Sequence, residues 1–190
     1  MKDHIILHDK AFKPFLPYEK LMEGVRRVAE QITRDFRSQA EAGDPPVLVC
    51  VLTGSLPFTC ELMKLLPFNV EIVSLKLSSY EGTSSTGEVR KVLGLSGDIT
   101  GRSVIIVEDI VDTGTTIVKL VDIAKEAGAR DIKVCTMLLK PEIYKKTVKL
   151  DYVALEIPCA FIVGFGLDYN ELGRNYPDIY VLDPDYKVEG

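Results

Sequence analysis

Residues 104–116 read VIIVEDIVDTGTT. The apolar run Val104–Val107 ends in two adjacent acids, Glu108 and Asp109. A third acid, Asp112, follows Ile110 and Val111, and Thr113, Gly114, Thr115 and Thr116 close the stretch. These residues divide into two chemistries. Threonine hydroxyls around a glycine suit a phosphate monoester if a helix begins there, because a helix N-terminus presents unpaired N–H groups and the positive end of its dipole. Carboxylates repel phosphate, so Glu108 and Asp109 need another partner. A sugar diol fits, as does Mg²⁺ held directly or through water. A phosphate cradle beside a diol-binding acidic pair describes a ribose 5-phosphate site. An acidic helix N-cap with a threonine-rich first turn would account for Asp112 and the threonines. It would leave two acids directly after a buried strand unexplained.

The surrounding elements must place that stretch at a sheet edge. Leu21, Val25, Val28, Ile32 and Phe36 recur at helical spacing from Tyr18 to about Gly43. VLVCVL (47–52) is β-branched and apolar, a strand covered on both faces. A helix follows, with Pro57 in its first turn, and strands are expected at 70–77 and 89–95. Between them SSYEGTSSTGE (78–88) has no aliphatic residue and reads as a long loop, either a lid or an ordinary connection. Val104–Val107 is a short strand. Thr115–Ala127 is a helix closed by Gly128, and 132–139, 152–157 and 160–163 are further strands. Residues 1–17, with Pro14 and Pro17, read as irregular. Strands alternating with helices argue for a parallel α/β sheet, in which ligands bind beyond the carboxyl ends of the strands.

The 190 residues suit one domain with a small cover built from the two chain ends. With 28 acids against 23 Lys and Arg and no basic block, nucleic acid is not an expected partner. No apolar run is long enough for a membrane span and the N-terminus is not a signal peptide, so a cytoplasmic protein is expected. Cys50, Cys60, Cys135 and Cys159 have no CxxC spacing and read as buried free thiols. There is no Gly-Lys-Ser/Thr phosphate loop, and Gly164-Phe165-Gly166 has Tyr169 where a dinucleotide fingerprint needs a third glycine.

VIIVEDIVDTGTT resembles the phosphoribosyl diphosphate-binding motif of the type I phosphoribosyltransferases. From about residue 47 to 176 the chain is similar to their hypoxanthine-guanine branch, through LTGS (52–55), SSYEGTSSTGE (78–88), LLKPE (138–142) and FIVGFGLDYNELGR (161–174). The resemblance implies a parallel-sheet α/β fold with a core of about 18–165. A hood from about 1–17 and 166–190 and a flexible lid loop carrying Ser79 and Tyr80 complete it. It implies Mg²⁺-dependent transfer of a phosphoribosyl group from phosphoribosyl diphosphate to N9 of hypoxanthine, and of guanine, giving IMP or GMP and diphosphate. A xanthine-specific enzyme and a non-catalytic sensor of phosphoribosyl diphosphate are the alternatives. A homodimer or homotetramer is expected.

The same resemblance distributes roles. Glu108 and Asp109 hold the ribose hydroxyls with Mg²⁺, and Thr113, Gly114, Thr115 and Thr116 hold the 5′-phosphate. Asp112 takes a proton at purine N7; a plain N-cap is the structural alternative. Lys140 donates to the purine 6-oxygen, which favours 6-oxopurines over adenine, although a cation at a strand end is common in any fold. Phe161 stacks on the base, unless it is a core aromatic, and Ile162 offers backbone groups to the base edge. Asp168 serves the base side and a second Mg²⁺, and Thr53, Gly54 and Arg174 bind diphosphate. Many relatives carry Lys where this chain has Thr53, so here only the backbone N–H is offered. His4 and His8 lie before the core with no expected part in the chemistry.

Overall fold

A computed structural model describes residues 2–79 and 89–186, without the side chains of 78–79 and 89–93. Tyr80, the side chain of Ser79 and residues 80–88 of the expected lid lie outside the described residues.

The body is a six-stranded sheet. Its strands are β3 (Val47–Leu52), β4 (Glu71–Ser79), β5 (Val89–Leu93), β6 (Ser103–Val111), β7 (Asp131–Leu139) and β8 (Tyr152–Glu156). The order across the sheet is β5-β4-β3-β6-β7-β8. All neighbours are parallel except the edge pair β4 and β5. Helices α1 (Tyr18–Glu41) and α2 (Leu56–Leu65) pack on one face and α3 (Thr115–Glu126) on the other. Alternation along the strands assigns the faces. Leu48, Ile105 and Val107 join the α1–α2 core, whereas Val47, Val49, Val104 and Ile106 join the α3 core. Because both faces are covered, β3 and β6 are apolar almost throughout, as parallel strands require.

The chain order makes a switch point. From β3 the chain crosses through α2 to β4 on one side, and from β6 it crosses through α3 to β7 on the other. The ends of β3 and β6 are therefore neighbours whose following loops part in opposite directions. A crevice between such strands is where open α/β sheets bind ligands.

Residues 2–17 are not irregular. They form β1 (Ile5–Leu7) and β2 (Lys10–Leu16), which pair antiparallel with each other. With β9 (Ile162–Val163) and β10 (Ile179–Leu182) they make a second, four-stranded sheet in the order β1-β2-β10-β9. Pro14 is accommodated beside a register shift between β2 and β10. Ile5, Leu7, Phe12, Val163 and Tyr180 form this sheet's own core. His4 pairs with Asp183 at 3.0 Å and His8 meets the Asn170 carbonyl at 3.1 Å, so both histidines tie the N-terminal strands to the C-terminal segment. Cys159 is exposed, in the connection after β8, and does not follow the buried pattern of Cys50 and Cys135.

Phe12 is fully buried where the two chain ends meet. Phe12→Ala is expected to cost about 3–5 kcal/mol, the usual loss for a buried aromatic, measured by denaturant unfolding.

Candidate active site

β6 runs further than its apolar segment, to Val111, so Glu108 and Asp109 belong to the strand itself. Glu108 is buried, and Asp109 is partly buried. Asp109 Oδ1 accepts the N–H of Ile110 at 2.8 Å. The Oε2 atom of Glu108 is buried and has no hydrogen-bond partner among the described residues. Burial, with the Asp109 charge adding to it, pushes the Glu108 carboxyl well above the usual carboxylate range. Burial also raises Asp109 to about 6, against the opposing pull of the Ile110 hydrogen bond and the Arg174 charge. Two adjacent acids withheld from water in this way are an acceptor set awaiting hydroxyls or a cation.

Gly54 explains how Asp109 fits. A Cβ there would overlap the Asp109 carboxylate, so only glycine lets the β3–α2 loop close over the acid. The Leu52–Thr53 peptide is cis. Gly166, at φ +99°, in turn lies against the Gly54 carbonyl, which brings the segment after β9 onto the same loop. That segment carries Asp168 and Arg174, joined at 2.8 Å. Arg174 also donates to the Gly166 carbonyl at 2.9 Å, and Asp168 accepts the Glu171 N–H at 2.8 Å.

Asp112 is not the cap of α3. Gly114 occupies the N-cap in the left-handed region, at φ 80°, and no side chain caps the first turn. Thr113, Thr115 and Thr116 are exposed around the buried Gly114, and the Thr113 and Thr115 hydroxyls meet at 3.2 Å. The first-turn N–H groups therefore open onto the cleft with hydroxyls beside them. The Tyr144 ring and the Lys146 stem pack against Gly114 from outside, so a side chain there would also meet Tyr144. Asp112 instead pairs with Lys140 at 2.9 Å. Register produces the pair, since Val111 of β6 lies opposite Leu139 of β7 and the next residue on each strand is Asp112 and Lys140. Lys140 is buried while Asp112 is half exposed.

Two concavities share this edge. One, of about 310 Å³, is lined by Thr53, Gly54, Glu108, Asp109, Lys119 and Arg174, together with Thr115 and Thr116. The other, of about 240 Å³, is lined by the Glu108–Ile117 segment, including Asp112 and Gly114. Glu108, Asp109, Thr115 and Thr116 belong to both, so the acidic pair and the threonines stand between two lobes of one cleft. Phe161 is 44 % exposed, which is not a core position, and its ring lies 5.7 Å from Tyr169 and 5.9 Å from Phe12. Ile162 is buried in β9. Lys119 is the charged lining residue absent from the motif's expected set. Its signal was helical spacing, one turn beyond Thr115.

The donor chemistry fits Mg²⁺. Among the described residues no three His, Cys, Asp or Glu side chains cluster as a metal cage. Mg²⁺ is characteristically held by one or two carboxylates plus water and substrate phosphates. The orphaned Glu108 oxygen and the partly buried Asp109 supply such a pair. Asp168 is already committed to Arg174. Among the described residues, no helix is long and apolar enough to cross a membrane.

Comparison with known proteins agrees with this geometry. A family model described as a phosphoribosyl transferase domain matches residues 15–170. A hypoxanthine-guanine phosphoribosyltransferase of Streptococcus pyogenes is 44% identical over 163 residues, covering 85% of this chain and 88% of its own. One from Streptococcus pneumoniae is 39% identical over 178 residues, covering 93% and 96%. Among solved structures, a hypoxanthine-guanine phosphoribosyltransferase of Bacillus anthracis superposes with a TM-score of 0.80 at 38% identity, covering 89% of this chain and 97% of that one. A Trypanosoma cruzi hypoxanthine phosphoribosyl transferase gives 0.83 at 33% identity, covering 95% of each chain.

The raised Asp109 pKa makes a stability prediction. A carboxyl whose folded pKa lies above its unfolded value leaves the fold most stable below the unfolded pKa, and that stability is lost as pH rises from about 4 through about 6. Asp109→Asn removes the buried charge. The variant should therefore be more stable than wild type at pH 8, by up to about 3 kcal/mol, and the gap should close by pH 4. Calorimetry across that range measures it.

Proposed function

The chain belongs to the phosphoribosyltransferase family, and we propose that it is a purine-salvage enzyme. It moves the 5-phosphoribosyl group of phosphoribosyl diphosphate to N9 of hypoxanthine or guanine, giving IMP or GMP and diphosphate. The observation that carries the choice of base is the Asp112–Lys140 pair, an acceptor and a donor 2.9 Å apart at the edge of the cleft. A 6-oxopurine carries N7–H and the 6-oxygen side by side, so Asp112 accepts the first while Lys140 donates to the second. Adenine presents an amino group to Lys140 and leaves that buried cation facing hydrogens, a mismatch worth far more than a shape difference.

The remaining residues follow from the two lobes. The first turn of α3, with Thr113, Gly114, Thr115 and Thr116, holds the 5′-phosphate. Glu108 and Asp109 accept the ribose 2′ and 3′ hydroxyls. Thr53 and Gly54 bind the diphosphate through backbone N–H groups, and Arg174 faces it from the segment after β9. Phe161 gives one face of the base an aromatic surface, and Ile162 offers its backbone to the base edge. Glu108 and Asp109, with substrate oxygens, would hold one Mg²⁺, and Asp168, if released from Arg174, a second; bound there, the metal would supply charge neutralisation for the diphosphate. Asp112 holds the N7 proton and removes it as the N9–C1 bond forms. Water must be kept from the ribosyl cation-like transition state, the task this reading assigns to Ser79 and Tyr80. Assembly as a homodimer or homotetramer and a cytoplasmic location belong to the same reading.

Turnover with Mg²⁺, phosphoribosyl diphosphate and hypoxanthine, guanine, xanthine or adenine in parallel tests it. Hypoxanthine and guanine should react and adenine should not. Binding of phosphoribosyl diphosphate with no turnover on any base would instead mark a sensor, and turnover on xanthine alone would replace the assigned base. Asp112→Asn should lower kcat by a factor of ~10²–10⁴ while phosphoribosyl diphosphate still binds. Lys140→Ala should raise KM for hypoxanthine and reduce discrimination against adenine. Unchanged hypoxanthine kinetics in that variant would remove Lys140 from the base site.

A further inference from the structure

We infer that Lys119 is a diphosphate-binding cation of the cleft, a step that rests on the phosphoribosyl diphosphate reading above. The larger lobe is already lined by two carboxylates, the buried Glu108 and the partly buried Asp109. A diphosphate entering it brings several more negative charges. Among the described residues, two cationic side chains line the lobe, Arg174 and Lys119. The Arg174 guanidinium is already engaged by Asp168 at 2.8 Å, by Glu171 at 3.5 Å and by the Gly166 carbonyl at 2.9 Å. Lys119 makes no ion pair or side-chain hydrogen bond among the described residues. Thr53, on the loop opposite, contributes no charge.

Helix geometry sends the Lys119 ammonium toward the cleft. Lys119 follows Thr116 by three residues and Thr115 by four, so the three share one face of α3. Helical side chains lean toward the helix N-terminus, and a long stem covers the turn before its own Cα. The charge is thus drawn to the positive end of the α3 dipole. The first turn holds no acidic residue to offset it. A lysine kept there is unfavourable for the empty helix and favourable once an anion occupies the lobe. Lys119 lines the lobe containing Thr53, Gly54 and Arg174 and does not line the smaller lobe around Asp112–Thr116. Its charge is therefore assigned to the leaving diphosphate and not to the 5′-phosphate.

The separation gives the test. Lys119→Gln and Lys119→Arg are titrated, in Mg²⁺ buffer, with inorganic diphosphate and separately with IMP, and KM is measured for phosphoribosyl diphosphate and for hypoxanthine. Lys119→Gln should weaken diphosphate binding and raise KM for phosphoribosyl diphosphate roughly tenfold or more, as expected for a lost charged hydrogen bond. IMP affinity, KM for hypoxanthine and Tm should be unchanged, and Lys119→Arg should recover most of the loss. Equal loss for IMP and diphosphate would overturn the assignment by moving Lys119 to the 5′-phosphate. No loss for either, with normal wild-type turnover, would remove Lys119 from the site and leave the proposed function standing. A wild-type protein that neither bound phosphoribosyl diphosphate nor turned over would sink both.

Discussion

Two carboxylates, one buried and one partly so, stand at the carboxyl end of the central strand, and neither is in an ion pair with a described residue. Much of the surrounding structure bears on that arrangement. A charge in a low-dielectric site is expensive unless it is paired or neutralised. The fold tolerates the cost because β3 and β6 pack against apolar helices on both faces. In the proposed function the cost would be offset by the ligand, whose hydroxyls or divalent cation would give Glu108 and Asp109 the partners the protein withholds. Stability and function are thereby set against each other at this pair, a pattern common to strained or charged active sites.

Placement of the remaining groups follows from where the strand order reverses. Because β3 and β6 are neighbours whose loops part, the glycine loop at Thr53–Gly54 and the start of α3 face each other across the acids. The next strand over, β7, adds Lys140 in register beside Asp112. Small residues set the distances. Gly54 admits the Asp109 carboxylate and Gly166 lets the tail segment touch the Gly54 backbone, so Arg174 reaches the cleft from an otherwise separate sheet. That second sheet is stitched from both chain ends, with its own small core and the His4–Asp183 contact. It presents Phe161 to solvent where an ordinary apolar strand would have buried it.

The sequence by itself determined the helices and strands of the body, because apolar periodicity and buried β-branched runs are local signals. VIIVEDIVDTGTT likewise carried the proposal of a ribose-phosphate site without any coordinates, since strand, acid pair and threonine-glycine turn are contiguous. Tertiary structure alone decided the rest. Residues 1–17 look irregular until the distant β10 pairs with β2, for a strand's partner is not written in its own sequence. Asp112 could have been an N-cap from its spacing; only the β6–β7 register, a long-range pairing, gave it Lys140 instead. Cys159 and Phe161 lie in similar apolar text to Cys135, yet they are exposed because the chain leaves the core after β8 to join the second sheet. Lys119 is one lysine among many until the folding of β3 beside β6 places Thr53, Gly54 and Arg174 across from it. Adjacency along the chain carries chemistry that one segment can perform, whereas charge balance across a cleft depends on groups that only the packed sheet brings together.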